Sequence, residues 1–224
     1  MTTNTQYGVA LVAGTVAQVV TMLVHPTSVA AITSDTLAHE MQVLVATHVL
    51  ALLSVPVVVF GLAGVTRRLG WDRPAALFAF IVYAFAAVAI MLAAITDGLV
   101  NAELIPRTFG APEASLPLLK SVLGYNFQLN QACAKVYVAG SSLAIICWSA
   151  ALFRLGGFER IVAVVGTVVG VVALAGMLSG QVPMSAHGFG LIVFLQAVWM
   201  VALGIAMTMT RAGENSVVPS PGVA

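Results

Sequence analysis

The stretch HEMQVLVATHVLALLSVPVVVFGLAGVTRRL, His39 to Leu69, decides the fold. It is a membrane-length apolar run that closes on Arg67 and Arg68 and carries His48 near its other end. A bilayer core takes roughly 20 helical residues at about 1.5 Å each, and His48 stands 20 residues before Arg68. The imidazole therefore falls about one turn inside the hydrocarbon, on the side opposite the arginines. An ionisable group at that depth needs a partner or a task.

The rest of the chain has the same character. Of its 224 residues 60% are hydrophobic and only 8% charged, with a mean hydropathy of +1.04, whereas a soluble domain carries about 25% charged residues. Six apolar runs, at about 7–25, 41–65, 74–98, 130–153, 160–179 and 187–210, are separated by charges, prolines and glycines. They are too long and too continuous for the alternating strands of a barrel. Backbone polar groups in lipid must be satisfied within the segment, so the runs are helices. The expected fold is an all-α, polytopic bundle of six transmembrane helices over residues 1–212, followed by a disordered cytoplasmic tail, 213–224, whose NSVVPSPGVA is polar and aperiodic. The start, MTTNTQYG, lacks the basic region of a cleaved signal peptide, so the first run reads as a retained span.

Charge sets both the partners and the orientation. A net charge of +1 without a basic arm excludes nucleic acid as a partner, and the lipid bilayer is the partner that composition implies. Arg67, Arg68 and Arg73 occupy the second connection, Arg154 and Arg160 the fourth and Arg211 the tail, while the first and fifth carry no lysine or arginine. By the positive-inside rule both termini are cytoplasmic; Arg107 and Lys120, in a long third connection from Asn101 to Leu129, dissent but are outnumbered. The turns RRLGWDR and FRLGGFER echo one another, as expected of a hairpin duplication or of two similar solutions to one turn. Gly166 with Gly170 and Gly176 with Gly180 make small-xxx-small patterns that place the fifth span at the centre and leave open a homo-oligomer or a partner membrane protein. Cys133 and Cys147 lie on one helix about 21 Å apart, too far to pair, and read as packing residues.

Counting inward from each cytoplasmic anchor brings the unusual side chains to one level. Lys135 is 19 residues from Arg154, Asp97 24 from Arg73 and His187 24 from Arg211, and His25 ends the first span just before Pro26. With His48, all lie within about 8 Å of one depth near the outer boundary; His39, Glu40, Asn101, Asn126, Asn130 and Gln181 sit just outside it. Two arrangements follow. Lys135 pairs with Asp97 and leaves a purely structural polar cluster with His48 neutral, since an unpaired buried charge costs several kcal/mol. Alternatively His25, His48 and His187 converge as ligands with Asp97, supported by Lys135, Glu40 and Asn130. Three imidazoles and a carboxylate suit zinc or another late first-row metal, and two histidines on separate helices suit a haem. No HExxH or CxxCH motif accompanies them.

An early His25-Pro26, His48 in the second span, the turn Arg67 to Gly70 and the late segment Ser179 to Gly190 together resemble uncharacterised six-helix bacterial integral membrane proteins of the domain-of-unknown-function type. The resemblance covers nearly the whole chain and implies a bacterial inner-membrane setting, with no activity attached. The functional expectation is a binding or accessory membrane protein with an outer-leaflet polar pocket. An intramembrane metal- or haem-dependent enzyme is the first alternative and a small-solute transporter the second.

Overall fold

The structure, a computed structural model, describes residues 2–25 and 33–209. The expected tail at 213–224 and the anchor Arg211 lie outside the described residues, as does Pro26. The described residues are helical without a strand, and six of the helical segments are long and apolar enough to cross a membrane. These elements are α1 (Thr3–Val24), α2 (Leu37–Leu69), α3 (Pro74–Ala94), α4 (Asn101–Phe109), α5 (Leu116–Leu152), α6 (Gly157–Leu178) and α7 (Ala186–Met209). A π-helical turn, Ile95–Val100, joins α3 to α4 without a break.

The third connection differs from the sequence reading. In place of a long loop from Asn101 to Leu129, α4 continues the third span and a 3-10 turn, Glu113–Ser115, leads into α5 at Leu116, so the two spans run 36 and 40 residues and are joined over residues 110–112. At about 1.5 Å per residue they reach roughly 54 and 60 Å, far beyond a bilayer core of about 30 Å. The prolines that argued for a loop are accommodated locally. Pro117 opens α5, where its missing N–H costs nothing, and Pro106 sits in the short α4 just beyond the π-helical turn.

The spans close into a ring in chain order: α1 packs on α2, α2 on α3, α3 on α5, α5 on α6, α6 on α7, and α7 back on α1. Alternation places the C-terminus of α1, the N-terminus of α2, the π-helical turn and the N-terminus of α7 at one end, and Arg67, Arg68, Arg154 and Arg160 at the other. Towards the arginine end the interior is aromatic. Trp148 stacks on Trp199 at 6.3 Å between ring centroids and meets Tyr83 at 5.8 Å, and its indole N–H donates to Thr66 Oγ1 at 3.0 Å. Arg68 pairs with Glu159 and so ties the two echoing turns together; each turn bends through a left-handed glycine, Gly70 or Gly156.

The fifth span, α6, is peripheral rather than central. It packs along its length on α5 and α7, meets α2 through the Arg68–Glu159 pair at the arginine end, and leaves Val164, Val168, Val171 and Val172 exposed. Its small residues act as expected on the inward face only: a Cβ at Gly166 would stand 2.2 Å from both Ser149 Oγ and Trp199 Nε1. Gly180, at φ +73°, ends the turn after the helix and packs nothing.

The contact that fixes α1 against α2 is made largely to backbone. A Cβ at Gly61 would lie 2.6–2.8 Å from Leu11 N, Cα and Cβ. Because the obstacle is largely backbone, Gly61→Ala is expected to separate these helices and cost about 1–3 kcal/mol, while Gly124→Ala, inside α5 with nothing within 4 Å of the new Cβ, is expected to hold or raise stability, by up to about 1 kcal/mol. Thermal unfolding of the two variants in detergent checks the difference.

Candidate metal centre

Three consecutive spans deliver the site. His25 is the residue at which α1 ends, His48 lies three turns into α2, and Asp97 projects from the π-helical turn after α3. His25 Nε2 and His48 Nε2 are 3.3 Å apart, and Asp97 Oδ2 is 3.4 Å from each. The three atoms form a nearly equilateral triangle. Burial is graded across it: the His48 side chain is 5% exposed, His25 18% and Asp97 32%, so the triangle opens on the His25 and Asp97 side.

The hydrogen bonds behind the triangle determine what its atoms present. His48 Nδ1 lies 2.8 Å from the Leu44 carbonyl oxygen. A carbonyl only accepts, so Nδ1 carries the proton, and in a neutral imidazole Nε2 is then a bare lone pair. That lone pair faces a carboxylate oxygen, and two electron-rich atoms at this separation repel unless a positive charge lies between them. Asp97 is held from its other side. Asn101 Nδ2 donates to Oδ1 at 3.2 Å, and Asn126 Nδ2 in turn donates to Asn101 Oδ1 at 3.1 Å. A histidine with a backbone carbonyl behind Nδ1 and a carboxylate with a hydrogen-bonded second oxygen are what metal ligands characteristically show.

The distances carry the same implication. Donors about 2.0–2.1 Å from a tetrahedral zinc-sized ion stand about 3.3–3.4 Å from one another, which is the observed spacing. Charge-assisted hydrogen bonds would draw the atoms closer, to about 2.7–2.9 Å. Two imidazole nitrogens and one carboxylate oxygen form a donor set that zinc and other late first-row ions accept. Haem fits less well, because two axial histidines must face each other across a porphyrin plane, and here the two Nε2 atoms are 3.3 Å apart with Asp97 Oδ2 crowding both at 3.4 Å.

The π-helical turn makes the arrangement possible. Its extra residue lets the Asn101 N–H reach back five positions to the Thr96 carbonyl, a widening that occurs mostly as single turns and is frequent at functional sites. Gly98 within it lies against the histidine: a Cβ there would fall 2.1 Å from His48 Cβ and Cγ. Asn130 Nδ2 secures the Ala93 carbonyl just before the turn, at 3.1 Å, so its support is to the backbone that carries Asp97.

Other residues expected at this level are placed elsewhere. Lys135 lies on an exposed face of α5, and the ionic partners of Asp97 among the described residues are His25 and His48, so the Lys135–Asp97 pair does not form. Helix counting gave both residues the same depth but not the same azimuth; the π-helical turn aims Asp97 at α1 and α2. His187, the second residue of α7, is exposed and stays outside the converging atoms, although it shares a cleft with His25. Glu40 in the first turn of α2 and the exposed His39 are likewise outside the triangle. The Asn101–Asn126 relay and Gly98 were not singled out from sequence as site residues. The spacing of Asp97 and Asn101, four apart on one helical face, is a signal that could have found the first of these contacts; none marks Asn126 or Gly98.

The chain matches no protein family, no curated protein and no solved structure.

Two substitutions that touch no donor atom test this geometry. Asn101→Ala is expected to weaken divalent-ion affinity by about 10–100-fold, and Gly98→Ala to abolish binding by displacing the His48 ring. Both are read by competition with a chromophoric chelator.

Proposed function

We propose that the protein is a multi-pass protein of the bacterial inner membrane that binds one late first-row divalent ion, zinc above all, through His25 Nε2, His48 Nε2 and Asp97 Oδ2. The observation that carries this reading is the lone pair of His48 Nε2, fixed by the Leu44 carbonyl and turned towards a carboxylate oxygen at 3.4 Å. The arginine distribution supports cytoplasmic termini, which puts the site near the outer boundary of the hydrocarbon.

Three protein donors leave a fourth position for water or substrate, the pattern of catalytic rather than structural zinc. A metal-dependent membrane enzyme is therefore favoured over an accessory protein whose pocket holds no ion. Transport has less support: the buried polar side chains at mid-length, Ser141, Ser142 and Gln196, are engaged with one another, Gln196 Nε2 donating to both hydroxyls.

The test is metal content. Protein purified from membranes and dialysed against zinc is expected to retain one ion per chain, and His25→Ala, His48→Ala and Asp97→Ala each to lose it. His187→Ala keeps it. A wild-type protein that takes up no ion overturns the reading, as does equal loss from His187→Ala and His48→Ala.

A further inference from the structure

A cleft of about 390 Å³ runs beside the triangle, between the C-terminal end of α1 and the N-terminal end of α7. This is within the range of about 300–1,000 Å³ usual for small-ligand sites. Its walls include Met22, Leu23, Leu191 and Phe194, and its two polar side chains are His25 and His187. Among the described residues no lysine, arginine or carboxylate lines it. His25 belongs to both features, bordering the cleft and turning Nε2 to the donor triangle.

Three observations say what kind of molecule the cleft takes. Leu23 is 67% and Leu191 53% exposed, so the rim belongs to the apolar outer surface of the bundle, the surface that faces lipid. Gly190 leaves space inside, since a Cβ there would meet only Met22 Cε, at 3.5 Å. Polar atoms are confined to the end where His25 and His187 stand. A water-borne solute would have to abandon its hydration to lie along such walls, whereas the hydrocarbon chain of a bilayer component already sits beside them.

We propose that the cleft admits a membrane amphiphile laterally from the lipid, its hydrocarbon chain lying along Met22, Leu191 and Phe194 and its oxygen-bearing head group taking the fourth position on the metal. This rests on the metal reading above and adds the class of ligand. The open side of the triangle, towards His25 and the less buried Asp97, is where the head group approaches. His187 at the cleft's polar end contacts the head group without holding the ion.

The experiment uses the full chain in phospholipid nanodiscs, loaded with cobalt(II), whose visible bands report a tetrahedral site and shift when a new ligand binds. Two hydroxamates with the same metal-binding head serve as probes, acetohydroxamate with no chain and lauroyl hydroxamate with a long one. They are titrated into wild type and into Gly190→Leu, which fills the cleft next to Met22. Both proteins are expected to show the cobalt bands and to respond equally to acetohydroxamate, while the variant needs at least tenfold more lauroyl hydroxamate than wild type for the same shift. Because both proteins sit in the same lipid, partitioning of the probe cancels. If Gly190→Leu leaves the lauroyl response unchanged, or weakens both probes alike, the ligand does not use the cleft and the proposal is overturned with the metal reading intact. If wild type shows no cobalt bands, the metal reading itself fails and takes this proposal with it.

Discussion

His48 Nε2 and Asp97 Oδ2, two electron-pair donors, cannot be held 3.4 Å apart and largely out of water without a positive charge between them, and His25 Nε2 stands at the same spacing from both. The Leu44 carbonyl makes this constraint sharp, because it commits the His48 proton to Nδ1 and leaves Nε2 bare towards Asp97. A shared proton can relieve one edge of the triangle. A metal ion relieves all three at once and suits their spacing, and for this reason the metal reading is preferred to a structural hydrogen-bonded cluster.

The architecture is what keeps the donors from relaxing apart. His25 and His48 come from spans locked by the backbone contact of Gly61 with Leu11, and the two imidazoles meet edge to face at 4.9 Å between ring centroids. The third donor arrives on a helix that has been widened by one residue to aim it, with Gly98 against the His48 ring and Asn101, Asn126 and Asn130 holding the far side. The aromatic interior lies at the opposite end, around Trp148, Trp199 and Tyr83. Stability and candidate chemistry are thus separated along the bundle: large buried rings pack one half, and polar side chains whose positions are set by their neighbours fill the end of the other.

Much of this was legible from residues alone, and the unread parts have a common cause. Uninterrupted apolar runs and the lipid's demand for internal hydrogen bonding yield the six helices, and counting from arginines gives depth, because rise per residue is nearly constant. Azimuth is another matter. It depends on crossing angles and on local helix irregularities, so Lys135, at Asp97's level by count, turns outward, and His187 reaches the neighbouring cleft instead of the triangle. The π-helical turn has no compositional signature beyond Asp97-Gly98, and it alone redirects the carboxylate. The helical extensions were hidden by prolines: Pro117 falls in the first turn of α5, where a helix tolerates it, but Pro106 lies inside α4, where sequence rules end a helix. The fifth span's small residues identified a close contact correctly but not how many neighbours shared it.

The most direct test of the central claim is X-ray absorption at the zinc edge of the zinc-loaded protein in lipid. The account predicts a four-coordinate shell of nitrogen and oxygen at about 2.0–2.1 Å, with the outer-shell scattering of two imidazoles. A six-coordinate oxygen shell without imidazole scattering, or sulfur in the first shell, would contradict it.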